Sequence, residues 1–338
     1  MKKVLKIFLL SLVAIIFSLS LVGCQLDGGS TRTKPGISGS VKAGTTTYVI
    51  NKYNAEKDVT SLTISIKELN LPDNVTQIEI KDKAFMGNTS LESVIVSSEV
   101  VKIGSQAFAK MTKLESLELP FVGKTIDSDP TQNNSGDGSN KSVDASRTIA
   151  HIFGTETYNG GSSVSVNYGG ENSSTVFIPE TLKTIKISPK ENSKYNIPMY
   201  AFNGVTAFEE IILGANVIGI GEYAFASCGG IETFAIPASV KTIYMGAFEN
   251  GYIKNFVLES TASAIEVKED AFKGCNNLSY FGEFKDTLPT YTIDLAKLDL
   301  TIIGDNAFDL SSNQLTYKIL NKGSVNIQTV FGETKIAE

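Results

Sequence analysis

The chain has no tryptophan, one histidine and three cysteines in 338 residues. With a single imidazole, two-histidine metal motifs are excluded, and a Ser-His-Asp or Cys-His device would have to pass through His151. No G-x-S-x-G elbow, Walker loop or G-x-G-x-x-G run is present, so the common nucleophile and nucleotide signatures are missing too. The lack of tryptophan removes the indole platforms that sugar stacking favours. Positive charge is also short: 30 basic residues stand against 36 acidic ones, a net of -6. That balance does not suit a phosphate backbone, so nucleic acid is not an expected partner. What is present is apolar: 42% of the residues are hydrophobic and 20% charged, enough to bury a core. The length fits two average domains or one elongated array.

The first 23 residues read as a processing signal. Lys2, Lys3 and Lys6 precede an apolar run from Ile7 to Val22, too short for a spanning helix of about 20 residues. The run ends in Leu21-Val22-Gly23-Cys24, which resembles the lipobox of bacterial lipoproteins. That resemblance implies cleavage before Cys24, lipidation of its sulfur, and a membrane attachment that exists only through acyl chains. Residues 24–46 are rich in Gly and Ser and read as a flexible tether. The alternating stretch 47–71 reads as N-terminal capping strands.

An internal repeat runs through residues 72–320. Ala-Phe recurs at Ala84-Phe85, Ala107-Phe108, Ala201-Phe202, Ala224-Phe225, Ala247-Phe248, Ala271-Phe272 and Ala307-Phe308, on a spacing built from 23 residues. A β-branched residue stands four before each Ala, followed by Gly at Gly104, Gly221 and Gly304. The unit reads L-x-x-I-x-I-P-x-x-V-x-x-I-G-x-x-A-F-x-x-C-x-x, its first stretch having the period of a strand. One such coil cannot bury its own apolar face, whereas stacked coils bury one another's. Phe85, Phe108, Phe202, Phe225, Phe248, Phe272 and Phe308 are therefore expected to form a structural ladder.

The coil "IGEYAFASCGGIETFAIPASVKTI" resembles the leucine-rich repeats of BspA-type bacterial surface proteins. The resemblance implies a leucine-rich-repeat solenoid, a right-handed coil of parallel strands with short helical turns. It further implies an exported protein of the bacterial cell surface that binds a protein ligand, such as a host matrix component or another cell's surface protein.

Three segments interrupt the repeat, at about 122–148, 154–175 and 282–300, and are read as loop insertions; residues 321–338 are read as a C-terminal cap. Asp127, Asp129 and Asp137 lack the spacing of a calcium loop. Cys228 and Cys275 follow ladder phenylalanines by three residues and read as buried fillers. No catalytic or metal-binding set stands out, and no cofactor is implied. The ligand face is expected at the outward strand positions: Ser93 and Ile95, Ser116 and Glu118, Thr184 and Lys186, Glu210 and Ile212, Thr233 and Ala235, Asn255 and Val257, and Tyr280. Adhesion is the leading expectation, either through this face or through the insertion loops with the face merely solvated. A structural role in the cell envelope and a carbohydrate-binding module are the alternatives.

Overall fold

The computed structural model describes residues 34, 36–54, 58–126, 130–131, 144–169, 172–259, 264–313 and 315–337. The signal segment, Cys24, Asp127, Asp129 and Asp137 lie outside them. In each coil the L-x-x-I-x-I stretch forms a short strand whose alternate side chains turn inward, as in Ser93–Val96, Ser116–Leu119, Thr184–Ile187 and Glu210–Leu213. Leucine and β-branched residues at every second position suit such a half-buried pleat. The strands pair in parallel and in register, Ser93 with Ser116, Ser116 with Thr184, and Thr184 with Glu210. With Ser61–Ile64 at one edge they make a front sheet. Beside Glu210–Leu213 it resumes as Thr233–Ile236, Asn255–Leu258, Tyr280–Glu283, Thr292–Asp294, Thr316–Leu320 and Lys335–Ile336. Because Thr184–Ile187 pairs directly with Ser116–Leu119, the array is continuous across the interrupted region.

The second side of each coil is a flank sheet. Thr47–Tyr53, Gln77–Ile80 and Val100–Ile103 pair in parallel, and Tyr195–Ile197, Val217–Ile220, Thr242–Ile243 and Glu266–Val267 do the same further along. The third side is the Ala-Phe corner, built of turns. The residue before each Ala, namely Lys83, Gln106, Tyr200, Tyr223, Gly246, Asp270 or Asn306, has a positive φ, which a regular right-handed helix does not tolerate. The corners stack through the backbone: the Phe202, Phe225, Phe248 and Phe272 N–H groups donate to Ala224, Ala247, Ala271 and Ala307 carbonyls at 2.7–2.8 Å. All three sides thus satisfy backbone groups between coils.

Inside, the ladder phenylalanines form a column. Phe202, Phe225, Phe248, Phe272 and Phe308 stack with ring centroids 5.0–5.3 Å apart. Phe234, Phe256 and Phe281 from the front strands meet it edge-on. Gly104, Gly221 and Gly304 mark where each coil crosses the previous one most closely. A methyl there would fall on the Asp82 nitrogen, the Ile197 oxygen or the Glu269 nitrogen.

The structure moves several expected boundaries. Ile37–Val41, inside the expected tether, is a strand paired antiparallel with Thr47–Tyr53; the end of the flank sheet otherwise presents unpaired backbone, and Ile37 adds a buried side chain. The described residues of 47–71 form the first coil itself, with the Tyr53 ring tilted by 32° against Phe85 at 5.5 Å. Within the segment 154–175, Gly161–Asn167 makes an antiparallel hairpin with Ser173–Pro179, burying Val164, Val166, Val176 and Ile178. His151 lies in the stack: its carbonyl accepts from Gln106 N–H at 2.8 Å, and Ile152-Phe153 takes the corner place beside Phe108. The segment 282–300 contributes the strand Thr292–Asp294, inserted between Tyr280–Glu283 and Thr316–Leu320. In the last of these strands Tyr317 fills the core and Lys318 faces out. Phe331, in the helix Ile327–Phe331, stacks on Phe308 at 5.6 Å and extends the column by one further unit. One more Ala-Phe step, Ala207-Phe208, is not a corner; Phe208 is a buried residue leading into the strand Glu210–Leu213.

Candidate functional site

The outward side of the front sheet carries two straight rows, because in-register parallel pairing repeats each position at about 4.8 Å. One row runs Ser61, Ser93, Ser116, Thr184, Glu210 and, past the break between the two runs, Thr233 and Asn255. The other runs Thr63, Ile95, Glu118, Lys186, Ile212, and then Ala235. All are half-buried, since close neighbours in a row shade one another. Ser61 and Thr63 extend the face beyond the expected set; the alternation of "SLTISI" carried that signal.

Neighbours within a row use part of their polar capacity on each other. Ser116 Oγ donates to Ser93 Oγ at 3.0 Å, Asn255 Nδ2 to Thr233 Oγ1 at 3.3 Å, and Thr184 Oγ1 to Glu210 Oε2 at 3.4 Å. Lys186 and Glu118 form an ion pair at 3.2 Å. Burial raises the Glu210 carboxyl above the usual carboxylate range, the Thr184 bond opposing it. The face therefore alternates hydroxyl and amide groups with isolated apolar side chains, and its one ion pair is internally neutral.

The structure removes two residues from the expected face. Tyr280 is 0% exposed and Val257 3%. The cause is Gly282, the next outward position: a Cβ there would lie 2.8 Å from the Tyr280 hydroxyl oxygen and 2.8 Å from Asp294 Cβ. The tyrosine ring lies over this empty place, its hydroxyl donating to the Glu283 carbonyl at 2.6 Å. Lys285 sits 5.9 Å from that ring and pairs with Asp294 at 3.3 Å, and Asn321 Nδ2 donates to Asp294 at 2.6 Å. This polar cover closes the C-terminal part of the front. Open outward positions therefore run from the Ser61 strand to the Asn255 strand.

The remaining singled-out groups have no reactive geometry. Cys228 and Cys275 are free and buried, and burial pushes both thiols up to about 12, where no nucleophilic thiolate forms near neutrality. Cys275 Sγ donates to the Phe248 carbonyl at 3.0 Å. His151 Nε2 lies 3.0 Å from the Ile103 carbonyl oxygen, and burial pushes its pKa down. Among the described residues no three His, Cys, Asp or Glu side chains converge to hold a metal, and no helix is long and apolar enough to cross a membrane.

A family model described as BspA type leucine-rich repeat region matches residues 57–152 and 170–290 in 6 copies, more than half of the chain. No curated protein matches the chain. Among solved structures, a leucine-rich-repeat protein of T. pallidum is 18% identical over 82% of this chain and 87% of its own, with a TM-score of 0.36. A leucine-rich cell surface protein of Faecalibacterium prausnitzii is 14% identical over 77% and 96%, with a TM-score of 0.26. The pneumococcal vaccine antigen PcpA is 14% identical over 91% and 98%, with a TM-score of 0.33.

Proposed function

The chain belongs to the BspA-type leucine-rich-repeat family, and from that premise we propose that it is a lipid-anchored cell-surface protein whose repeat array binds another protein, in adhesion to host or neighbouring cells. Repeat arrays of this kind serve as protein-interaction scaffolds, and their extended faces are what they present. The observation that carries the reading is the open front: seven strands, from Ser61–Ile64 to Asn255–Leu258, present in-register hydroxyls beside isolated isoleucines. At about 4.8 Å per strand and about 3.3 Å per residue, this strip measures about 30 by about 13 Å, or about 400 Å² in plan. A specific partner covers about 800 Å² on each side, so one seated on the strip also touches neighbouring turns. The lack of tryptophan and of a charge stripe favours a protein over a glycan or a charged polymer. Cys24, at the end of the signal segment, carries the anchor, two or three acyl chains being needed for lasting attachment.

The test uses mature chain on a panel of matrix proteins and host cells. Saturable binding is expected, and the double variant Ile95→Asp/Ile212→Asp should abolish it while leaving the melting curve in place. Absence of binding across the panel, or equal binding by the variant, overturns the reading. In the parent bacterium Cys24→Ser should end incorporation of labelled fatty acid; continued labelling removes the anchor.

A further inference from the structure

A second site lies on the corner side of the array, away from the front rows. It is a cleft of about 220 Å³ lined by Tyr200, Tyr223, Asn203, Glu249 and Asn250 among others. Its origin is local. Tyr200 and Tyr223 occupy the position directly before the corner Ala, with φ of 58° and 54°. Their side chains stay out of the phenylalanine column and stack on each other, ring centroids 5.3 Å apart and 12° from parallel. In the next coil this position is Gly246, and the Tyr223 ring takes the place a Cβ would need. The two rings thus face each other, with Met199 and Tyr168 packed in the same cluster.

What the cleft offers is oxygen. The next corner brings Glu249 and Asn250 to its wall. Asn203 Nδ2 donates to the Tyr223 carbonyl at 3.2 Å, which leaves Oδ1 as an acceptor. Among the described residues the Glu249 carboxylate has no ion-pair partner; Lys273, which acts on it electrostatically, is itself held by Asp270 at 3.2 Å. Burial, and then the like charge of Asp270, raise the Glu249 carboxyl above the usual range, the signature of an acid whose ionised form lacks compensation. Burial first, then the neighbouring acids Glu249, Glu222, Asp270 and Glu269, raise the Tyr223 phenol. A cleft of this size admits one side chain and no folded element, and its acceptors and negative surroundings select a cation with several N–H donors.

We propose that this cleft binds a basic side chain, an arginine or a lysine, of the protein partner. The proposal rests on the reading of the chain as a protein-binding array and deepens it by placing a specificity contact on the corner side, beyond the front strip. Glu249 supplies the charge, while Asn203 and the tyrosine hydroxyls fix the direction of approach.

The test is a heteronuclear NMR titration of mature chain with Nα-acetyl-arginine methylamide, alongside the glutamine analogue and N-acetylglucosamine. Saturable shifts from the arginine probe are expected, and Glu249→Gln should weaken its binding about tenfold, as for loss of one charge-assisted contact. Tyr223→Phe should weaken it less, and both variants should melt like the parent. Equal binding of the arginine and glutamine probes, no effect of Glu249→Gln, or saturation by the sugar alone overturns the proposal. Ile95→Asp/Ile212→Asp should leave probe binding unchanged. Loss of cell binding in that variant with the probe site intact therefore separates the fate of the front from that of the cleft.

Discussion

Phe248 sits where the column of corner rings meets the rings of the front strands. Its ring stacks on Phe225 at 5.3 Å and Phe272 at 5.2 Å, and meets Phe234 at 5.2 Å and Phe256 at 4.7 Å edge-on. Such offset and edge arrangements add to simple burial. Phe248→Ala removes a ring whose neighbours are tied down by backbone bonds on both sides, so the site cannot collapse. A loss of about 3 to 5 kcal/mol is expected in urea unfolding, and an unchanged midpoint would show that the column is not the core. That role was legible from spacing alone. The burial of Tyr280 was not: its place in the alternation is outward, and it is covered because Gly282 leaves a gap and Asp294, from another strand, supplies the far wall.

At the scale of the element, the three glycines that stand three residues before a corner Ala, Gly104, Gly221 and Gly304, explain why the coils sit at strand spacing. Gly221 crosses the preceding coil where the Ile197 carbonyl and the Met199 nitrogen come closest. Gly221→Ala has to push two coils apart, at a cost of about 1 to 3 kcal/mol as in other overpacked interiors. Thermal melting checks this, with Gly229→Ala as the control, a glycine of ordinary φ whose Cβ would make only van der Waals contact, the nearest atom being Thr206 Cγ2 at 3.4 Å; equal shifts in the two variants would refute the close crossing. The elements that composition concealed are Ile37–Val41 and the hairpin from Gly161 to Pro179. Glycine and serine give both the look of linkers. They are strands because a neighbouring edge needs a partner and because Val164, Val166, Val176 and Ile178 find a core to enter.

Over the whole molecule, proton linkage gives a direct check of the buried thiols. Cys228 and Cys275 have an ordinary pKa of 9.0 when exposed and about 12 in the folded chain. Between those values the folded state keeps protons that the unfolded state has lost, so their contribution to stability is complete below pH 9 and declines as pH rises towards 12. Tyr158 and Tyr200, also raised to about 12 by burial, act in the same direction from about pH 10 upward. In a Cys24→Ser background, the urea midpoint should fall more steeply between pH 9 and 11 than in the same chain carrying Cys228→Val and Cys275→Val. Parallel pH profiles would mean that the thiols ionise freely in the fold.

The amino-acid order by itself determined the coil: its 23-residue period, its inward residues, its corner phenylalanines and the continuity of the array follow from local spacing, which any stacked neighbour must match. Tertiary structure alone decided where the array begins and ends, which outward positions stay open, and that Tyr200, Tyr223 and Glu249 share a cleft. Those outcomes depend on side chains from different coils meeting across the stack, at distances that sequence separation does not encode.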